Sequence, residues 1–327
     1  MKRRMIASVT TIGALLSLAL AAPAAAEWPE GPIRIVVPFG AGGTADSVPR
    51  SFQRAIQEEG LLTEPLTILN IGGHFSVGAR RVMEADPDGH EFLVIHVALM
   101  GAQGMGAIDF GWNDFEPVAQ TGQVCNLPSV KADSEHQTLD ELMEAAATSE
   151  DVLAGVNLGG VNHLTMVLLQ NEKPDAKFRY VQVGGGTQVY PALVGGHVDV
   201  GTQSALEVAN HTLDADGNPL PDAEIRPLAY IGPERHPRLA HVPTAIELGY
   251  DVDFCTDFWW LAPKGTPQEA IDGLANALEQ AMDTEVVQTF FDVNMFDPAF
   301  LKGEEFSAYL QDLWTTIEPV AKQAAAN

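Results

Sequence analysis

The stretch PIRIVVPFGAGGTADSVPR, Pro32 to Arg50, sets an apolar strand ending at Pro38 before Gly40, Gly42 and Gly43, then opens a helix at Thr44 and Asp46. Glycines let backbone N–H groups crowd around an anion, and the positive end of the following helix adds roughly half a charge. A carboxylate can be held this way without Lys or Arg. The plain reading of the same residues is a Gly-rich turn with Thr44 as N-cap and Asp46 favouring the positive helix end. A sharper one competes, because Gly40-Ala41-Gly42-Gly43-Thr44-Ala45 fits the dinucleotide fingerprint G-x-G-x-x-A. Three features oppose it. Pro38-Phe39 intrude where a strand should run straight into the first glycine, the second strand ends in Leu69-Asn70 with no acid for a ribose, and the chain opens with an export signal.

Two further segments repeat the arrangement. GVNLGGVNHLTMVLL, Gly155 to Leu169, is again strand, glycine turn and helix, with Asn162 and His163 at the helix start. In Tyr180 to Glu207 a three-glycine turn, Gly184 to Gly186, precedes Thr187, and Gly195-Gly196 precedes a short strand holding Asp199. Any one of these turns is ordinary loop chemistry. Three facing one cleft would grip a ligand by backbone amides. G-x-S-x-G, H-E-x-x-H, C-x-x-C and the Walker sequence are missing from the chain. His236 and His241, five apart beside Pro237, do not make a helical i, i+4 metal pair, so they read as surface loop residues. His163 is weighed as a ligand neighbour against a helix-capping role.

The elements that must position these turns alternate strand and helix. The expected strands are Ile33–Pro38, Leu66–Asn70, Glu91–His96, Val152–Val156, Phe178–Val183, Val198–Gln203 and Arg226–Ile231. Helices are expected near Thr44–Glu59, Ser76–Ala85, Leu139–Thr148, Asn162–Gln170 and Gln188–Leu193. Such alternation predicts α/β architecture with parallel sheets and sites at the carboxyl ends of strands. The tail, with helices over Pro267–Met282, Glu285–Phe291 and Glu304–Ala325, should bring no new strands and pack onto a lobe already formed. Two extended passages, near Gln120–Val130 and Asp253–Leu261, suit strands that leave one lobe and return. The aromatic cluster Phe254, Phe258, Trp259 and Trp260 suits hinge or core packing.

The first 26 residues carry Lys2, Arg3 and Arg4, then an apolar stretch, then Ala24-Ala25-Ala26, the pattern of a cleavable signal peptide that delivers the protein to the periplasm. The apolar stretch is shorter than the roughly 20 residues an anchor needs. The net charge of −26 becomes −29 without that segment, which disfavours nucleic acid and anionic membrane surfaces. It also opposes an anionic ligand in bulk, leaving local dipoles to bind it. The remaining length of about 300 residues predicts two lobes. Cys125 and Cys255, the only cysteines, carry no framework signal at that separation; a disulfide and two buried thiols both stay open.

Several ordered segments then resemble a known family, the extracytoplasmic solute-binding receptors of tripartite tricarboxylate transporters. They are WP-x-x-PIRIVVPFGAGGTAD at Trp28–Asp46, ADPDGHEFL at Ala85–Leu93, NDFEPVAQ at Asn113–Gln120, GGHVD at Gly195–Asp199, RPLA at Arg226–Ala229, HVPTAIELGYD at His241–Asp251 and FWWLAPKGTP at Phe258–Pro267. The resemblance implies a type II periplasmic-binding-protein fold, two α/β lobes joined by crossing hinge strands, here 27–124 plus 257–327 and 125–256. It implies a monomer that captures a small carboxylate, a di- or tricarboxylate or aromatic acid, and passes it to membrane transporter subunits, with no catalysis and no cofactor.

Carried across residue by residue, the ligand-binding set is Phe39, Gly40, Ala41, Gly42, Gly43 and Thr44 with Asp46 behind them, and Gly184, Gly185, Gly186 and Thr187 opposite. Ser76, Gly159, Asn162, His163 and Asp199 flank them. One departure stands out. After Asn70-Ile71-Gly72-Gly73 the family's small residues give way to His74-Phe75-Ser76, which should reshape the cleft mouth. The competing readings are an exported oxidoreductase with a nicotinamide cofactor, which would need an acid–base group in the cleft, and a sensor that presents the same ligand to a membrane kinase.

Overall fold

The computed structural model describes residues 28–149 and 151–326; the segment expected to be a signal peptide lies outside them. In chain order the elements are β1 (Ile33–Val37), α1 (Thr44–Glu59), β2 (Leu66–Asn70), α2 (Ser76–Met83), β3 (Glu91–Ile95), α3 (Ala98–Gly104) and β4 (Phe115–Lys131). The middle of the chain adds α4 (Leu139–Thr148), β5 (Leu153–Val156), α5 (Val161–Glu172), β6 (Arg179–Gln182), α6 (Gly186–Val194), β7 (Val200–Ser204), α7 (Ala205–Thr212) and β8 (Ile225–Pro227). It closes with β9 (Cys255–Pro263), α8 (Gln268–Met282), α9 (Glu285–Asn294), β10 (Leu301–Lys302) and α10 (Gly303–Ala324).

The strands run in the order β2-β1-β3-β9-β4-β7-β5-β6, so the path divides into two α/β lobes joined in the middle by β9 and β4. In the first lobe β2, β1 and β3 are parallel. In the second, β7, β5 and β6 are parallel. The 17 residues of β4 pair with β9 from Phe115 to Cys125, then with β7 from Asn126 to Val130. At about 3.3 Å per residue such a strand spans roughly 56 Å, enough to belong to both lobes. All the parallel strands present their carboxyl ends to the space between the lobes.

Period-two alternation decides which face each strand covers. On β9, Phe258, Trp260 and Ala262 join the cluster beneath α1, α8 and α9, whereas Trp259 and Leu261 join the cluster beneath α2, α3 and α10. The helices answer with one-sided burial, as in α1, where Val48, Phe52, Ala55 and Ile56 recur on a single face. The second lobe has its own cluster around Met143, Val156, Leu169 and Tyr250. The apolar cluster under α1 does not stop at the crossing strands; it continues to Ala205, Val208 and Leu213 of the α7 region.

Two expectations change. The tail does bring a strand, because β10 pairs with Ala119 and Gln120 of β4, extending the sheet edge beside a register shift in that long strand. The strand expected over Arg226–Ile231 shortens to β8, beyond which the chain makes single bridges only. The question of the cysteines is also answered. Cys125 and Cys255, directly opposite in the β4–β9 pairing, form a disulfide across the two crossing strands. Among the described residues no helix is long and apolar enough to cross a membrane.

Candidate functional site

A cavity of about 790 Å³ opens between the lobes, lined from one side by Phe39, Gly40, Gly43 and Thr44 and from the other by Gly184, Gly185, Gly186 and Thr187. Three helices with glycine N-caps start at its wall: α1 behind Gly43, α5 behind Gly160 and α6 behind Gly185. None of the three glycine N-caps supplies a side chain to its own helix. By contrast Ser204 caps α7 at the same cavity, and Thr138 on α4 and Thr284 on α9 cap away from it. The first N–H groups of a helix have no partner within it, so the bare ends leave donors and positive dipole aimed into the cleft.

The first loop is held from behind. Gly42 takes φ +86°, a conformation that suits glycine, and its N–H donates to Asp46 Oδ2 at 2.8 Å. Asp46 also accepts from Arg50 Nε at 2.9 Å and from Asn70 Nδ2 at 2.9 Å. Burial pushes its carboxyl pKa up, but Arg50, Gly42 and Asn70 together outweigh that and hold it below the usual value. The opposite loops are tied to each other by Asn162, whose Oδ1 accepts from Asn157 N–H at 3.0 Å and whose Nδ2 donates to Gly184 O at 3.0 Å. Gln182 adds a second tie, accepting from Leu158 N–H and donating to Asn157 Oδ1.

Of the residues expected from sequence, Phe39, Gly40, Gly43, Thr44, Asn162 and Gly184 to Thr187 line the cavity. Ala41 and Gly42 do not; the turn points them away. Asp46 lies behind the loop, 3% exposed, and shapes it. The Ser76 hydroxyl pairs with His74 Nδ1 at 2.7 Å, leaving His74 at the wall. Gly159 packs against the backbone of Ala102, a near contact between the lobes. His163 is fully buried, with Nδ1 accepting from Gly159 N–H, and burial pulls its pKa down to about 4. Asp199 accepts from Leu153 N–H at the opposite end of β5, away from the cleft. Its acidity serves the strand pairing.

Sequence reasoning missed the floor. Asn126, Thr202, Gln203, Ser204, Glu207 and Thr256 line the cavity from β4, β7, α7 and β9. One signal was there to read: Ser204-Ala205-Leu206-Glu207 is a capping box at the end of a strand, and the structure shows both of its bonds. Among the described residues neither Lys nor Arg lines the cavity. Among the described residues no group of three or more His, Cys, Asp or Glu could hold a metal ion.

The tripartite tricarboxylate transporter family receptor model matches residues 50–325. Protein BugT of Bordetella pertussis is 28% identical, covering 93% of both chains, and the UPF0065 protein in the gbd 5' region of Cupriavidus necator is 27% identical over 94% of this chain and 93% of its own. A TctC solute binding protein from Polaromonas, solved without ligand, is 25% identical with a TM-score of 0.64, covering 90% of this chain and 99% of that one. The Rhodopseudomonas palustris protein Rpa4515, solved with adipate, superposes with a TM-score of 0.80 at 24% identity over 91% and 98% of the two chains; MatC of the same organism, with malate, gives 0.75 at 23% over 91% and 100%. The fold, the cleft and the family match agree, and the chain belongs to the receptors of the tripartite tricarboxylate transporter family.

Proposed function

We propose that this receptor works in the periplasm without catalysis, capturing a small carboxylate-bearing solute between lobes formed by residues 27–124 plus 257–327 and by 125–256, and closing about β4 and β9 to present it to membrane transporter subunits. The observation that carries this is the convergence of three helix N-termini with bare glycine caps on one cavity that neither Lys nor Arg lines. Carboxylate oxygens suit such amides, and ligand contacts from both sides favour the closed arrangement. Phe39, Gly40, Gly43 and Thr44 serve one side, and Asn162 with Gly184 to Thr187 the other. The adipate and malate seen in the Rhodopseudomonas palustris proteins are in keeping with that chemistry.

A thermal-shift screen of the purified protein against mono-, di- and tricarboxylates and aromatic acids, with NAD and NADP beside them, tests the reading. A ligand at 100 times its Kd should stabilise the protein by about 2.7 kcal/mol. A shift from a nicotinamide cofactor with silence from every acid would overturn it.

A further inference from the structure

Glu207 stands where a ligand carboxylate would otherwise be expected. Its Oε2 lies so near Gly186 that a Cβ there would sit 2.0 Å away, and its Oε1 lies 3.5 Å from where a Cβ on Gly43 would be. One half-buried carboxyl group therefore bridges the glycine loops of both sides. Ser204 donates to it from its backbone N–H and its hydroxyl, both at 3.1 Å. Among the described residues the other ionisable groups at the cavity wall are His74 and His96, and burial pulls His96 down to about 4, which keeps it neutral.

The floor beside Glu207 holds buried polar atoms left over by the fold. Gln203 Oε1 and the Thr202 hydroxyl oxygen, in residues 2% and 1% exposed, have no hydrogen-bond partner among the described residues. The Gln203 amide nitrogen is turned to Gly186 O at 3.4 Å, which fixes its oxygen as the free atom. A buried acceptor left unpaired is costly, and a carboxylate with an unpaired neighbour calls for a group with several N–H donors and a positive charge. A second carboxylate at the α1 or the α6 end would instead meet Glu207 as a like charge. The bare end of α5, behind Gly160, remains open to an anion.

Building on the receptor reading above, we infer that the cleft takes an amino carboxylate, its ammonium seated on the Glu207 carboxylate and Gln203 Oε1, and its carboxylate on the N–H groups that open α5. Glu207 and Gln203 are then the specificity-determining residues of the cleft floor. Phe39, Leu158, Val161 and Phe258 provide apolar wall for the rest of the solute.

Titration calorimetry on the purified protein with matched pairs tests this: L-aspartate against succinate, L-glutamate against glutarate, L-phenylalanine against 3-phenylpropionate, with malate and adipate alongside. At least one amino acid should bind 100-fold or more tighter than its deaminated partner. Glu207→Gln should cut that ratio at least tenfold, and Gln203→Leu should weaken the amino partner alone. Should Glu207→Gln fail to melt cooperatively, the wild-type ratio and Gln203→Leu still decide. A deaminated acid that binds as tightly as its amino partner, or a ratio that survives both substitutions, overturns the inference and leaves Glu207 as a clasp between loops, with the carboxylate receptor intact. Silence from all eight compounds would take the receptor reading down as well.

Discussion

The hydroxyls of Thr44 and Ser204, 160 residues apart in the chain, lie 2.6 Å from each other and join the start of α1 to the start of α7. Ser204 also accepts from Glu207 N–H as the N-cap of α7. In urea unfolding, Ser204→Ala should therefore cost about 1–2 kcal/mol, the price of a cap, and Thr44→Val less. The double variant should show a coupling of about 0.5–1.5 kcal/mol. Strict additivity would mean that the two hydroxyls do not act on each other.

Asp46 touches no cavity wall, yet it holds the loop that does. Asp46→Ala strands the Gly42 N–H and the Asn70 amide, and should destabilise by about 1–3 kcal/mol while weakening ligand binding at least tenfold. Its depressed pKa gives a sign as well. The stability that ionised Asp46 provides is present above the unfolded value of about 3.9 and is lost as pH falls through the lower folded value. Urea midpoints for wild type and variant should converge in that acid range.

Gly101 of α3 lies under the Gly159 carbonyl, and a Cβ on Gly101 would come within 2.0 Å of that oxygen. Neither backbone can yield locally. Gly101→Val should wedge the lobes apart, lowering ligand affinity by 100-fold or more, and small-angle scattering with ligand present should show a larger radius of gyration than wild type. Unchanged affinity would mean that the α3–α5 contact is not part of the closed state.

Asp257 is 7% exposed on β9, and burial pushes its pKa up to about 6, only partly opposed by the Tyr309 hydroxyl that donates to it. Because the folded state holds this proton more tightly than the unfolded chain, the group costs stability as pH rises from about 4 to about 6 and the cost persists above. Asp257→Asn keeps an acceptor for Tyr309, while its amide N–H replaces the oxygen that accepts from Gln120 Nε2, so the Gln120 amide turns over to present its unpaired Oε1. Relative to wild type it should gain about 1–3 kcal/mol between pH 4.5 and pH 7.5 in urea unfolding. A constant difference across that range would show that Asp257 titrates elsewhere.

The Cys125–Cys255 disulfide closes a separation of 130 residues. Loop-closure entropy of that length sets a ceiling near 5 kcal/mol, and measured effects run at about 2–4. The double Cys→Ser variant should lose that much in urea, and dithiothreitol should reproduce the loss in the wild type. Identical unfolding curves with and without reductant would show the bridge is unformed in solution.

Local pattern carried much of this protein. Runs such as Ile33–Val37 and the one-faced burial of Val48, Phe52, Ala55 and Ile56 follow from side-chain period, and the glycine turns mark strand ends because few other residues make those turns. That is why α1 and α4 begin and end where the sequence predicts, and why the turns at Gly40–Gly43 and Gly184–Gly186 lead to the cleft. What pattern does not encode is the partner across space. Whether Asp46 meets a ligand or Gly42, whether Cys125 finds Cys255, and that Glu207 reaches from α7 to the glycine loops all depend on the path of β4 and β9 between the lobes. Side-chain period tells a residue which face it takes; only the packed sheet, with β4 handing over from β9 to β7 at Asn126, decides what stands opposite.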